Sequence, residues 1–280
     1  MQFILPVESI VQNKGGVVLY DTESNKILKQ YVHYKQDDEQ PRRVGWRGGK
    51  LYNQYLIIAD WSDLHYFNVE NWKYERSFKK DTFSDLHYVE VYDDKLYIVN
   101  TGLEAIEVFK NPLEPEFEKL ISLGDLRHPN CISFNNERIF VTCFGHTNRI
   151  NSEGVVELNS GERIFEGDFD CHDGIFHGND FYLTHTSQGE IFEFEDLYNK
   201  NTPTTPTNTI KIGAGKGWWR GMIIVDNVIY VFASDGYRQK KATIRMATIN
   251  LKTMARTKIN LPVVDGIHWD TIYQPNFYMR

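Results

Sequence analysis

Four histidines and two arginines recur at one place in the pattern of this chain. Arg47, His87, His172, Arg220 and His268 each stand six residues ahead of a polar position, and His128 stands seven ahead of another. Those positions open the segments NQYLIIAD (53–60), DDKLYIVN (93–100), NNERIFVT (135–142), GNDFYLTH (178–185) and DNVIYVFA (226–233), with Gln274 in the same place after His268. Imidazoles gathered at equivalent positions pack poorly but make a good ligand set, since neutral rings hold a divalent metal at roughly 2 Å per bond. His87, His128, His172 and His268 are therefore the expected metal ligands. All-imidazole ligation suits Fe, Zn, Ni, Cu or Mn better than Ca or Mg, and four rings with open positions on an octahedral ion favour Fe(II). Arg47 and Arg220 share a WRG context and offer planar forks for a carboxylate, sulfate or phosphate on a substrate. Asp60 and His185, at the ends of two of the segments, are further catalytic candidates. Trp46, Trp218, Trp219 and Trp269 lie next to members of the set and are expected to supply apolar walls.

The elements that must position these residues follow from the spacing. Each quoted segment reads as a turn and then a strand, and successive starts are 40, 42, 43 and 48 residues apart. Each is preceded by one short strand-like run and followed by two more, and four strands in a unit of this length is the signature of a β-propeller blade. Third and fourth strands are visible in GVVELNSGERIFEG (154–167), with a turn at Asn159-Ser160-Gly161, and in ATIRMATINLKTMARTKINL (242–261). GVVLYDTESNKILKQY (16–31) is a similar outer hairpin with no unit before it, and GIHWDTIYQPNFYMR (266–280) is an inner strand with no unit after it. Together they predict a composite blade, with the inner strand near 266–274 and either 276–280 or 3–7 as the second strand. The fold class is thus all-β, a six-bladed propeller with a composite closing blade, forming a single domain over 1–280. NPLEPEF (111–117) and NKNTPTTPTN (199–208) fall between third and fourth strands and read as outer loops. SDLHY occurs at 62–66 and 84–88, but the copies occupy different places in the blade pattern, so His65 falls outside the recurring set.

The whole chain resembles the six-bladed β-propeller superfamily, which includes calcium lactonases of the senescence-marker type, strictosidine-synthase-like enzymes and NHL-repeat interaction proteins. The lactonases bind calcium through Asp, Asn and Glu at the axis, whereas this chain carries His and Arg there, so that ligand set is missing. A four-histidine site is similar in chemistry to the iron site of carotenoid-cleaving dioxygenases, which are longer, seven-bladed proteins. The resemblance is one of fold, and function has to be argued from the site.

A net charge of −7 and the absence of a Lys/Arg run argue against nucleic acid. No apolar stretch reaches membrane-spanning length and MQFILPVESI has no basic leader, so a cytoplasmic protein without a membrane partner is expected. Cys131, Cys143 and Cys171 lack CxxC spacing and read as buried thiols. The leading expectation is a metal-dependent enzyme, oxygenase-like or lyase-like, acting on a small anionic or aromatic substrate. One alternative is a metal-free lyase, cyclase or isomerase using the same histidines as general acid or base with the arginines as an anion clamp. The other is a non-catalytic interaction platform.

Overall fold

The computed structural model describes residues 1–9, 14–34, 45–124, 128–144, 154–165, 170–199, 205–212, 217–235, 243–262, 272 and 274–278. The fold is all-β, and its class is a six-bladed β-propeller built from six four-stranded antiparallel sheets. By internal contacts the chain falls into two compact units, one of residues 1–86 with 217–280 and one of residues 87–216.

In chain order the first unit begins with β1 (Gln2–Ser9), β2 (Lys14–Asp21) and β3 (Lys26–Tyr34), followed by β4 (Gly49–Tyr52), β5 (Tyr55–Ala59), β6 (Asp63–Asn68) and β7 (Lys73–Lys79). The second unit starts at the second residue of β8 (Leu86–Tyr92) and holds β9 (Lys95–Asn100), β10 (Ala105–Lys110) and β11 (Glu116–Ser122). It continues with β12 (Pro129–Asn135), β13 (Arg138–Cys143), β14 (Gly154–Glu157) and β15 (Arg163–Phe165), then β16 (Cys171–His177), β17 (Asp180–His185), β18 (Glu190–Phe194) and β19 (Asn208–Lys211). The chain returns to the first unit with β20 (Trp218–Val225), β21 (Val228–Asp235), β22 (Thr243–Asn250), β23 (Arg256–Asn260) and β24 (Asn276–Tyr278).

The turn-then-strand segments are the second strands β5, β9, β13, β17 and β21. Their turns demand left-handed backbone, which Asn, Asp and Gly tolerate best: Asn53, Asp93, Asp94, Asn136, Gly178, Asp226 and Asn227 all have positive φ. Residues 111–115 connect β10 to β11, with Glu116 and Phe117 already in the fourth strand, and of the stretch 199–208 the residues 200–204 lie outside the described residues.

The composite sheet has the order β24-β1-β2-β3, which settles which end of the chain supplies the second strand. The N-terminal strand β1 takes the second place. Beside β1 stands β24, at 276–278, which pairs Gln2 with Tyr278, Phe3 with Phe277 and Ile4 with Asn276, while the expected inner strand at 266–274 lies, apart from 272 and 274, outside the described residues. Pro275 directly precedes β24 and, having no N–H to donate to a ladder, marks its boundary. Alternation then sends Phe277 toward the core that β1 shares with β20–β23 and Tyr278 toward the core shared with β4–β7. In the second unit the cores lie between β8–β11 and β12–β15 and between β12–β15 and β16–β19. No helix among the described residues is long and apolar enough to cross a membrane.

Candidate functional site

Three of the expected ligands, His87, His128 and His172, belong to the second unit, and it brings them together from three successive blades. The His87 and His128 ring centroids are 5.1 Å apart and perpendicular, and those of His87 and His172 are 6.4 Å apart with planes 28° from parallel. His87 and His172 are buried and His128 is partly so.

Irregular backbone in the inner strands aims these side chains. Between β12 and β13, Pro129 pairs with Cys143 and Cys131 with Thr142, so Asn130 is an inserted residue. His128, just before it, sits at φ +53°. The inner strands β16 and β20 carry bulges of the same size with an offset of six, and in β12 the residue six ahead of the turn at Asn136 is the inserted Asn130, with His128 two residues earlier. The pairing of β16 with β17 shifts between Cys171 and Gly174, placing His172 and Asp173 in a bulge as well. Bulges of this kind redirect side chains beside functional sites, and histidine is among the residues that tolerate the left-handed region.

Neighbouring side chains also fix the tautomers. The amide of Asn130 donates through Nδ2 to the Cys171 carbonyl at 3.3 Å, which orients its Oδ1 toward His87 Nδ1 at 2.9 Å. Since Oδ1 can only accept, His87 Nδ1 carries the proton and Nε2 the lone pair. His172 Nδ1 lies 3.3 Å from Asp173 Oδ2, and the same logic puts its lone pair on Nε2. The Thr142 hydroxyl donates to the His172 carbonyl at 2.8 Å, and the Asp173 backbone N–H donates to Thr184 Oγ1 at 2.8 Å, so the bulge is anchored on both sides. Histidines oriented through Nδ1 by an amide or a carboxylate are the usual partners of a metal, and the same dyads suit a general base. Asn130 and Asp173 were not among the sequence-based candidates. Their signal was proximity alone: one lies two residues after His128 and the other directly follows His172.

The other expected residues have different surroundings. His185 pairs its Nδ1 with Glu190 at 3.6 Å and packs on Phe192. In the first unit, Arg47 is bonded to Asp85, has Glu8 at 4.0 Å and stacks over Trp61 at 5.0 Å. Two carboxylates of the protein thus already engage its guanidinium. Arg220 is buried at the start of β20, where the register shifts around Gly221. Trp46 and Trp219 are fully buried, and Trp218 is 38% exposed. His268 and Trp269 lie outside the described residues.

Asp60 finds a partner that the repeat pattern disguised. Its Oδ2 is 3.3 Å from Nε2 of His65, a member of the SDLHY copy that falls outside the recurring set. Asp60, Asp63 and His65 form the group, among the described residues, whose donor atoms all lie within 4.8 Å of one another. The His87, His128 and His172 donor atoms do not meet that distance.

The cysteines are free and buried, as the spacing predicts. Burial raises the Cys143 thiol to about 12 and pushes Cys131 up further, so neither is a thiolate near neutral pH. Because the thiolate is the reactive form, the folded protein should show negligible reaction with a disulfide reagent at pH 8 over minutes. Three equivalents should react after denaturation, and a fast equivalent in the native protein would contradict this burial.

No protein-family model matches the chain, and no curated protein does. Among solved structures, the chain is similar to a chain in a crystal structure of a nidogen/laminin complex, with a TM-score of 0.68 and 10% identity over 98% of this chain and 97% of that one. A chain of a mitotic checkpoint complex is similar with a TM-score of 0.51 and 10% identity, over 77% of this chain and 64% of that one. Likeness at this level of identity is a likeness of fold.

Proposed function

We propose that the protein is a metal-dependent enzyme for a small-molecule substrate, with a divalent ion on His87, His128 and His172. The observation that carries this reading is the meeting of three imidazoles from successive blades, two of them oriented through Nδ1 so that Nε2 is the ligating nitrogen. With about 2 Å per metal–nitrogen bond and about 1.1 Å from ring centre to nitrogen, rings on one ion have centres about 4.5 to 6.4 Å apart for bond angles of about 90° to 180°. The His87–His128 separation of 5.1 Å falls inside this range, and the His87–His172 separation of 6.4 Å sits at its upper end. The His172 ring would have to move from its place beside Asp173 for the three donor nitrogens to share an ion.

Such an ion would polarise a bound oxygen or activate water. The chain's own residues would do the rest: Asn130 and Asp173 hold the imidazoles as neutral ligands, and Thr142 and Thr184 fix the backbone that carries them. Iron(II) remains the favoured ion, because three imidazoles leave positions open for a substrate. The engagement of Arg47 by Asp85 and Glu8 removes one ground for an anionic substrate, so the proposal is a small molecule with an oxygen or nitrogen donor.

The test is elemental analysis of protein purified without added metal, repeated after loading with Fe(II) or Zn(II) under anaerobic conditions. His87→Ala and His172→Ala should each lose the ion, and Asn130→Ala should weaken its binding about 10- to 100-fold by freeing the His87 ring. Undiminished metal affinity in the His87→Ala/His172→Ala double variant would remove this site. The His172–Asp173 dyad also favours a second reading, a metal-free acid–base catalyst, in which turnover survives chelators but not His172→Ala.

A further inference from the structure

We infer that Asp60, Asp63 and His65 form a second divalent-cation site, in the first unit and independent of the three-histidine reading above. One hairpin builds it. Asp60 is the first residue after β5, its N–H donating to the Asp63 carbonyl at 2.8 Å, and Asp63 and His65 are alternate residues of β6. Alternate residues of a strand share a face, so the reversal of the chain brings the carboxylate of Asp60 against the face that Asp63 and His65 present.

Three observations give this group the character of a cation site. The first is separation. Two donors bound side by side to one ion, with bonds of about 2.1 Å, stand about 3.0 to 3.4 Å apart. Asp60 Oδ2 and His65 Nε2 are 3.3 Å apart, and all three donor groups come within 4.8 Å.

The second is charge. Asp60 is 1% exposed and Asp63 and His65 are each 4% exposed, so two carboxylates lie side by side out of water. Buried like charges at this distance call for a cation. Asp60 spends Oδ1 on the Trp61 N–H at 2.5 Å, while Asp63 Oδ1 has no hydrogen-bond donor and faces only the Lys79 ammonium, at 3.7 Å. The Lys79 side chain is 74% exposed, so the cation opposite Asp63 is a mobile, solvated one. It also shows that the group lies just beneath the surface, within reach of an entering ion.

The third is rigidity. Trp46, His33 and Tyr74 surround the His65 ring at centroid distances of 5.2, 5.5 and 5.8 Å, which holds the imidazole in place toward Asp60. His65 Nδ1 has no hydrogen-bond partner inside this packing. Ring packing, and not an acceptor at Nδ1, is therefore what orients this imidazole. One imidazole with two carboxylates is a harder donor set than three imidazoles, and it suits Mn(II) or Zn(II) over Ca(II), whose sites are all oxygen.

The experiment titrates Mn(II) alone into the His87→Ala/His172→Ala double variant, reading free ion by its electron paramagnetic resonance signal and location by broadening of the Trp46 indole resonance. One Mn(II) should bind and broaden that resonance. Asp63→Asn, which keeps the shape and removes the charge, should weaken binding at least tenfold. Lys79→Gln, on an exposed side chain, should tighten it severalfold by removing the competing ammonium, and this second variant keeps the test open if Asp63→Asn does not fold. The absence of bound Mn(II) in the double variant, or an affinity that neither Asp63→Asn nor Lys79→Gln changes, overturns the site. Loss of the three-histidine ion in the wild-type protein would leave it untouched, so the two readings fail separately.

Discussion

Removal of residues 274–280 should abolish the cooperative unfolding transition of the protein. This stretch contributes β24, only three residues long, yet it binds in three ways. It pairs with β1 at Gln2, Phe3 and Ile4, so its loss turns β1 into an open edge next to two hydrophobic cores. It supplies Phe277 to one of those cores and Tyr278 to the other. It also carries Asn276, a buried amide whose Oδ1 accepts from the Leu51 N–H at 2.9 Å and whose Nδ2 donates to the Gly49 carbonyl at 2.6 Å. Those bonds tie the chain end to β4. Each buried backbone group left without its partner costs about 1 to 3 kcal/mol, and several such losses together rival a whole stability of about 5 to 15 kcal/mol. Asn276→Ala alone should cost about 2 to 4 kcal/mol, since it orphans two groups. Retention of the full melting temperature and near-ultraviolet circular dichroism by the truncated chain would show that the composite sheet does not hold this unit together.

The same comparison shows why some of the molecule was legible in its sequence and some was not. The five second strands stand out because Asn, Asp or Gly at a left-handed turn is followed by an apolar run, a signal contained within ten residues. The hairpin of β2 and β3 was legible for the same reason. Strand β24 was legible only as one of two choices, 276–280 or 3–7, because three residues after a proline carry no periodicity that fixes their place in the sheet. At the candidate site, the spacing found His87, His128 and His172 because blades repeat. Asn130 escaped because its role is to reach back to His87 from 43 residues away, a contact set by packing between blades. Asp60 and His65 illustrate the opposite failure. Their proximity follows from one tight hairpin, but the eye-catching SDLHY copies drew His65 into comparison with His87 when its actual partners lay within its own turn.

A single methyl group added at Gly221 should destabilise the first unit by about 2 to 5 kcal/mol. Gly221 is the inserted residue where the pairing of β20 with β21 shifts between Arg220 and Met222, and it adopts φ +72°. An L-residue pays roughly 1 to 2 kcal/mol for left-handed backbone. At this position a Cβ would also stand 2.6 Å from the carbonyl oxygen of Ile272 and 3.2 Å from its carbon, backbone atoms that cannot swing aside as a side chain would. Overpacking against fixed atoms adds about 1 to 3 kcal/mol. Gly178 separates the two contributions, because it has φ +63° with nothing within 4 Å of a Cβ. Gly178→Ala should therefore cost only the backbone share, about 1 kcal/mol, and Gly221→Ala clearly more in the same denaturant titration. Since the bulge sets the direction of Arg220, the Gly221→Ala variant should also alter the environment of the neighbouring Trp219, read as a shift in its fluorescence. Equal destabilisation by the two alanines would mean that the inner-strand bulge is free to move away from Ile272, and that it does not fix the side chains beside it.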